Sequence, residues 1–255
     1  MKTTAIYFSP TETSKKGAVA IADVLQPDAA KVDITIGQEM VEKKFSSEDL
    51  VIFGAPVYSG RIFKGIKQRL QAVQGNNTPC VVTVTYGNRD YDDALLELAD
   101  IVKEKGFLPV AGAALIGQHT YGEIQVGRPD KNDINEDKKF AAKVLTKLQS
   151  GQKNTVKLPG NPDYIHNDGG NGGKFRPLTD EKKCVQCGIC AQQCPEGAID
   201  MADYSKIDNN KCIACFRCIR ICPTGAKNMD TPEYKNFAAD FSRKLSQPRK
   251  NEYFI

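Results

Sequence analysis

Eight of the nine cysteines in this chain lie between positions 184 and 222, in two copies of one phrase. The first copy, "CVQCGICAQQCP", starts at Cys184, and the second, "CIACFRCIRICP", starts 28 residues later at Cys212. The shared pattern, C-x2-C-x2-C-x3-C-P, indicates an internal duplication. Because a reducing cytoplasm disfavours structural disulfides, cysteines at this density point to metal binding or redox chemistry.

The spacing within each phrase predicts iron–sulfur clusters. Three closely spaced cysteines can hold three corners of a cubane, while the fourth points away and serves another metal; in bacterial two-cluster ferredoxins that metal is the other cluster. We therefore expect two [4Fe-4S] clusters with crossed ligand sets. The first set is Cys184, Cys187, Cys190 and Cys222, and the second is Cys212, Cys215, Cys218 and Cys194.

Zinc is the alternative metal for these cysteines, since C-x2-C pairs also build four-cysteine zinc sites. Such sites usually keep two pairs well apart, without a third nearby cysteine or a terminal Cys-Pro, and no histidine lies in this region. Iron–sulfur is therefore favoured. The ninth cysteine, Cys80, starts a strand-like run and is interpreted as a small buried apolar residue.

The elements that precede the cysteines alternate between strand-like and helix-like segments. The strand-like runs are "TTAIYFS", "AKVDITI", "DLVIFGAP", "CVVTVTY" and "FLPVAGAALIG". Amphipathic segments follow four of them: "TETSKKGAVAIADVL", "FKGIKQRLQAVQ", "DDALLELADIVKEKG" and "NEDKKFAAKVLTKLQSG". Near-continuous apolar strands separated by helices predict a parallel sheet covered on both faces.

Composition divides the chain into four parts. Residues 1–151 form the α/β domain, and residues 152–177, rich in Gly, Asn and Pro, form a linker. Residues 178–232 form the cysteine-rich domain. Residues 233–255 form a helical tail, with Phe237, Phe241 and Leu245 on one side of the helix.

Three loops are expected at the carboxyl edge of the parallel sheet, where open α/β sheets bind ligands. "SPTETSKK" brings four hydroxyl groups to a helix N-terminus, which suits a phosphate, although a plain hydroxyl-capped helix is the alternative. "GAPVYSGRIF" and "TYGNRDYDDAL" carry Tyr58 and Tyr91, whose rings suit a planar ligand or simply cap the sheet edge. His119 follows the last strand and is interpreted as a loop hydrogen-bonding residue.

These loops resemble those of flavodoxins, and the whole chain resembles the flavodoxin–ferredoxin fusion family (the flavoferredoxins), in which loops of the type "SPTETS", "APVYSGR" and "YGNRDYDDAL" precede a two-cluster ferredoxin module. The resemblance implies an α/β, flavodoxin-like, doubly wound five-stranded parallel sheet of order 2-1-3-4-5 and a small α+β ferredoxin domain with two [4Fe-4S] clusters. It also implies bound FMN. The implied FMN contacts are Ser9, Thr11, Thr13, Ser14, Pro56, Val57, Tyr58, Gly60, Tyr86, Gly87, Asn88, Arg89, Asp90 and Tyr91. Glu12 departs from the family pattern, because it replaces the usual glycine of the phosphate loop.

The expected function is electron transfer between the two clusters and FMN, which interconverts one-electron and two-electron carriers. The alternative is an FMN-dependent reductase of a small molecule, driven by ferredoxin electrons. No G-x-G-x-x-G motif or Cys/His/Asp catalytic constellation is present, so no catalytic residue is predicted. Redox proteins are the expected partners, and a homodimer stays open.

Composition sets the remaining expectations. A net charge of +4 without a basic arm gives no reason to expect nucleic acid, and no apolar run is long enough for a membrane span. The N-terminus lacks a signal-peptide pattern, so a cytoplasmic location is expected.

Overall fold

The computed structural model describes residues 1–37, 42–166 and 174–255. Its elements, in chain order, are β1 (Lys2–Tyr7), α1 (Thr13–Leu25), β2 (Ala30–Asp33), β3 (Lys43–Phe45), β4 (Asp49–Tyr58), β5 (Arg61–Ile62), α2 (Ile66–Arg69), β6 (Val73–Gly75), β7 (Thr78–Tyr86), α3 (Ala94–Lys103), β8 (Phe107–Ile116), α4 (Lys131–Gln149), β9 (Leu178–Thr179), α5 (Ile189–Gln192), α6 (Arg217–Arg220), β10 (Lys227–Asn228), α7 (Pro232–Lys244) and β11 (Glu252–Phe254).

Five parallel strands form the main sheet in the order β2-β1-β4-β7-β8. Numbered along the chain, these are the second, first, third, fourth and fifth strands of the parallel sheet, so the predicted order 2-1-3-4-5 is confirmed. The central strands form where the sequence predicts them because their apolar runs are buried on both faces, and every residue of β7 is buried. The edge strand β2 is mostly exposed.

Helices cover the two faces of this sheet. On one face, α1 and α4 pack their apolar residues, such as Ile21 and Phe140, against β1, β4 and β8. On the other face, α3 packs Leu95, Leu98 and Val102 into a second apolar cluster. This second cluster does not stop at the α/β domain, since it includes the buried residues Ile213 and Cys215 of the cysteine-rich domain.

Two stretches of the α/β domain and tail differ from the sequence-based prediction. The predicted helix over "FKGIKQRLQAVQ" is wrong beyond one turn: α2 ends at Arg69, and Val73–Gly75 pair in parallel with Lys43–Phe45 as an extra small sheet. The C-terminal helix ends at Lys244, and Glu252–Phe254 then add to β8 as an antiparallel edge strand. Both pairings depend on distant residues, which local periodicity does not report.

Residues 152–166 of the expected linker lie folded against the α/β domain. The Val156 amide donates to the Pro109 carbonyl over 2.9 Å, and Leu158 is buried in the apolar cluster. Asp93 accepts hydrogen bonds from the amides of Asn161 and Ile165, each over 2.7 Å. Residues 167–173 of this segment lie outside the described residues.

In the cysteine-rich domain, the two copies of the repeated sequence have the same backbone conformation. The single-turn helices α5 and α6 start 28 positions apart, and each follows a residue with positive φ, Gly188 at 76° and Phe216 at 59°. Two positions earlier, Gln186 and Ala214 also have positive φ, at 53° and 52°. The two halves therefore wrap their cysteines with the same loop conformation. Across the described part of the chain, no helix is both long and apolar enough to span a bilayer.

Candidate cofactor sites

A cavity of about 430 Å³ lies at the carboxyl edge of the parallel sheet. This volume is in the range of pockets for small organic ligands and cofactors. Loops that follow the four parallel strands β1, β4, β7 and β8 line it, together with residues from the cysteine-rich domain and α7. The lining residues that sequence analysis singled out as FMN contacts are Thr11, Thr13, Ser14, Pro56, Val57, Tyr58, Tyr86, Gly87 and Arg89.

The first loop offers a fit for a phosphate group. The Ser14 hydroxyl is fully buried and has no hydrogen-bond partner in the described structure, while the residue lines the cavity. Glu12, the N-cap of α1, makes no side-chain capping bond to the backbone amides of the first turn. The N-terminus of α1 therefore presents an unsatisfied donor and the positive end of a helix dipole, which together suit an anion.

The Glu12 side chain does not cap α1 and instead lies beside two cations. Its φ of 65° is in the left-handed region, which explains why a glycine is usual at this position. Its carboxylate is 2.6 Å from the Lys15 ammonium and 3.7 Å from the Arg217 guanidinium. The charge of Glu12 is thus balanced by two cations.

Five of the predicted FMN contacts do not line the cavity. Ser9 is buried and accepts a hydrogen bond from the Lys15 amide over 3.0 Å, so it shapes the loop. Gly60 packs so closely on Asp92 that an added Cβ would lie 2.3 Å from its carboxylate. The remaining three, Asn88, Asp90 and Tyr91, bind the C-terminal tail through their side chains.

Several lining residues were not predicted as contacts from sequence. The loop after β8 contributes Gln118, His119, Thr120 and Tyr121. Burial lowers the pKa of His119 to about 4, and its Nδ1 accepts a hydrogen bond from the Tyr121 amide over 2.8 Å. The imidazole is therefore neutral at pH 7 with its proton on Nε2, and it serves as the loop hydrogen-bonding residue that the sequence suggested.

Tyr121 lies at the centre of an aromatic cluster between the two domains. Its ring centroid is 5.2 Å from that of Phe216 in the cysteine-rich domain and 5.9 Å from that of Phe237 in α7. Burial raises the pKa of Tyr121 to about 12, so its hydroxyl stays protonated at physiological pH. One side of the sheet-edge cavity is thus formed by aromatic residues that pack between the two domains.

The structure separates the eight clustered cysteines into two cavities. One cavity is lined by Cys184, Cys187, Cys190 and Cys222. The other is lined by Cys194, Cys212, Cys215 and Cys218, together with the apolar side chains of Ile199, Ile207, Ile213 and Phe216. Each cavity thus takes three cysteines from one phrase and one from the other phrase.

The division of the cysteines between the two cavities matches the crossed ligand sets of bacterial two-cluster ferredoxins. Burial raises the pKa of the Cys215 thiol to about 12, so its thiolate form needs a cationic partner such as iron.

The cavity at the sheet edge and the second cysteine cavity adjoin each other. Cys215 and Ile213 line both of them, and Ala214 lines the first. No comparable contact joins the sheet-edge cavity to the Cys184 set within the described residues. The two cysteine cavities therefore differ in their distance from the α/β domain's ligand site.

Two arginines fix this contact between domains. Arg69 donates to the Pro195 carbonyl over 2.8 Å and to the Glu196 carboxylate over 2.6 Å. Arg217 donates to the Pro10 carbonyl over 2.8 Å and to the Gln193 side chain over 2.7 Å. Since each set of bonds lies next to a cysteine loop, the arginines hold the second cysteine cavity against the sheet edge.

Comparisons with known proteins agree with this two-part organisation. Residues 183–226 match the family model for a 4Fe-4S dicluster domain. The chain is 29% identical over 153 residues to an uncharacterized protein of Methanocaldococcus jannaschii, a match that covers 57% of this chain and 99% of that protein. It is 42% identical over 45 residues to pyruvate synthase subunit PorD of Methanothermobacter thermautotrophicus, which covers 18% of this chain. The chain spans about half the length of that subunit, 53%.

Among solved structures, a flavodoxin from the domain Archaea aligns with a TM-score of 0.40 and 14% identity, over 58% of this chain and 99% of that chain. The fold of the first domain is given by its own strand order, which is the flavodoxin order. A flavodoxin-like fold joined to a 4Fe-4S domain supports a role in electron transfer. The chain thus combines an α/β domain that has the flavodoxin strand order with a segment, residues 183–226, that matches a 4Fe-4S dicluster domain.

Proposed function

We propose that this protein transfers electrons between two [4Fe-4S] clusters and one FMN that it binds in the sheet-edge cavity. The observation that carries the proposal is the position of Cys215, which lines both that cavity and the second cysteine cavity. FMN accepts or donates two electrons and exchanges them singly, whereas a [4Fe-4S] cluster exchanges one, so the pair interconverts the two modes.

The two cysteine cavities support a crossed ligand assignment. In it, Cys184, Cys187, Cys190 and Cys222 hold one cluster, and Cys212, Cys215, Cys218 and Cys194 hold the other. The apolar side chains beside the second set keep water away from its thiolates, which influences the reduction potential of the metal centre.

The lining of the sheet-edge cavity supports FMN as its ligand. The buried Ser14 hydroxyl, Thr11 and Thr13 hold the phosphate at the N-terminus of α1. Tyr58 and the backbone at Gly87 border the ring. An added Cβ at Gly87 would lie 2.3 Å from the His119 ring, so only glycine fits there without displacing this side chain.

The interface supports transfer within one chain. Arg69 and Arg217 bond across it, and the apolar cluster of the α/β domain continues into Ile213 and Cys215. Because electron tunnelling weakens steeply with distance, a fixed contact of this kind favours transfer between the Cys212 set and the cavity. The 45 residues that are similar to PorD favour a redox protein as the external partner.

A second candidate is an FMN-dependent reductase of a small molecule. Residues of α7 and of the loop after β8 also line the cavity, so the ligand site is partly covered. A covered site favours a small reactant over a docked protein. Saturable, multiple-turnover reduction of a small-molecule substrate supports this candidate, whereas turnover that requires a protein acceptor supports a carrier.

The test is cofactor content after purification without oxygen. We expect about eight irons, about eight sulfides and one FMN per chain. Cys215→Ser is expected to lose iron from one cluster, whereas Cys80→Ser, at a buried position inside β7, is the matched control that keeps all of it. Zinc without iron contradicts the proposal, as does a protein with iron that neither retains nor rebinds FMN.

A further inference from the structure

The C-terminal helix contributes two aromatic rings to the wall of the sheet-edge cavity. Phe237 and Phe241 both line it, and their rings stack with centroids 5.3 Å apart and planes 20° apart. Phe241 also meets the His119 ring edge-on at 5.1 Å. Phe237 is still 37% exposed. A partly exposed aromatic pair beside a cavity is a natural contact for a planar ligand.

The chain after α7 is fastened to the loop that follows β7. The Asn88 side-chain amide donates to the carbonyls of Leu245 and Gln247 over 2.7 and 2.9 Å, and its oxygen accepts from the Arg249 amide over 2.7 Å. The Arg249 guanidinium lies 2.6 Å from the Asp90 carboxylate. Asn88 thus uses both ends of its side chain to hold the tail.

The anchoring continues to the edge of the sheet. The Tyr86 hydroxyl donates to the Lys250 carbonyl over 3.2 Å, and the Tyr91 hydroxyl donates to the Glu252 carboxylate over 2.9 Å. Beyond these bonds, β11 pairs with β8. The loop over residues 86–91 therefore directs its polar side chains to the tail, while Tyr86, Gly87 and Arg89 still line the cavity.

We propose that Phe237 and Phe241 are FMN-binding residues that form the outer wall of the site, and that Asn88 is a positioning residue that acts through the tail. The inference rests on the proposed function, in which this cavity holds FMN. Asn88 fixes where α7 ends, and the end of α7 fixes where the two rings stand.

The experiment is a double-mutant cycle on FMN affinity. FMN is removed from the anaerobically purified full chain and titrated back, with flavin fluorescence as the readout. The double variant Phe237→Ala/Phe241→Ala is expected to bind FMN about tenfold more weakly, as loss of ring contacts implies. Asn88→Ala is expected to weaken binding in the same direction, and adding it to the double variant is expected to change affinity less than twofold.

The control is Asn236→Ala, a change at an exposed position of the same helix, which is expected to leave FMN affinity unchanged. Cluster absorbance shows whether each variant is folded. If Asn88→Ala does not fold, Arg249→Met takes its place in the cycle, since it loosens the tail from its own side. If the double phenylalanine variant binds FMN with unchanged affinity, the two rings do not bind FMN and the proposal is wrong. If the effects of Asn88→Ala and of the double variant on FMN affinity are additive, Asn88 does not act through the rings. Failure of the unmodified chain to bind FMN overturns the proposed function itself.

Discussion

Asp137 gives the sharpest prediction about stability, because it is an acid buried under the C-terminal strand. Its side chain is 1% exposed, and it accepts a hydrogen bond from the Tyr253 hydroxyl over 2.8 Å. Burial raises the pKa of Asp137 to about 7, the charges of Asp133 and Glu136 act in the same direction, and the bond from Tyr253 opposes them. The folded protein therefore holds this carboxyl largely protonated below neutral pH.

The sign and size of the effect follow from linkage. In the unfolded chain an aspartic acid has a pKa of about 3.9, so between the two values the folded state carries one proton more than the unfolded state. The free energy of unfolding then falls by about 1.4 kcal/mol for each pH unit, or about 2 to 3 kcal/mol from pH 5 to pH 7. The stabilisation is complete below the unfolded pKa and is lost as the pH rises through 7.

The assay compares the protein with Asp137→Asn in urea unfolding at several pH values without oxygen. Asparagine keeps an acceptor for Tyr253 but does not ionise, so the difference between the two proteins isolates this carboxyl. We expect similar stabilities at pH 5 and a variant that is more stable by about 2 to 3 kcal/mol at pH 8. Parallel profiles for the two proteins would refute the reasoning.

Three further predictions concern the cysteines and the interface. Cys215→Ser should lower the iron content and also slow flavin reduction by the clusters, whereas Cys80→Ser should change neither; iron analysis and stopped-flow absorbance measure both. Arg69→Met should destabilise the domain contact by about 1 to 3 kcal/mol, since the stem still packs while the bond to Glu196 is lost; equal stability in urea contradicts this. Arg217→Met should weaken FMN binding severalfold because it frees the phosphate loop, and an unchanged titration would count against that link.

Much of the fold could be predicted from the sequence because the signals were local. Strands such as β7 are rich in the β-branched residues Val and Thr, and the duplicated cysteine phrase repeats a loop conformation whose positive φ values recur 28 positions apart. What escaped prediction depends on distant partners. The segment ending in Val73–Gly75 has a helical pattern, yet it pairs with Lys43–Phe45, and the tail strand Glu252–Phe254 exists only because β8 offers an open edge.

The site was predicted in part for the same reason. Loops at the carboxyl edge of a parallel sheet must meet, so Thr11, Ser14 and Tyr58 could be brought together in advance. Asn88 could not be assigned correctly, because a polar loop residue has the same appearance whether it binds a ligand or a backbone carbonyl. The apolar face of the tail helix was visible, but its sequence does not say which surface Phe237 contacts.

The covalent link between the domains changes how an electron exchange at this interface depends on concentration. Two separate carriers must collide in the right orientation, whereas the contact through Cys215 is held by bonds from Arg69 and Arg217 and by a continuous apolar cluster. Tethering replaces the concentration of a free partner with an effective concentration set by the structure. Exchange at this contact should then be first order and independent of protein concentration, whereas exchange with an external partner, for which the Cys184 set is free of the sheet-edge cavity, should depend on that partner's concentration.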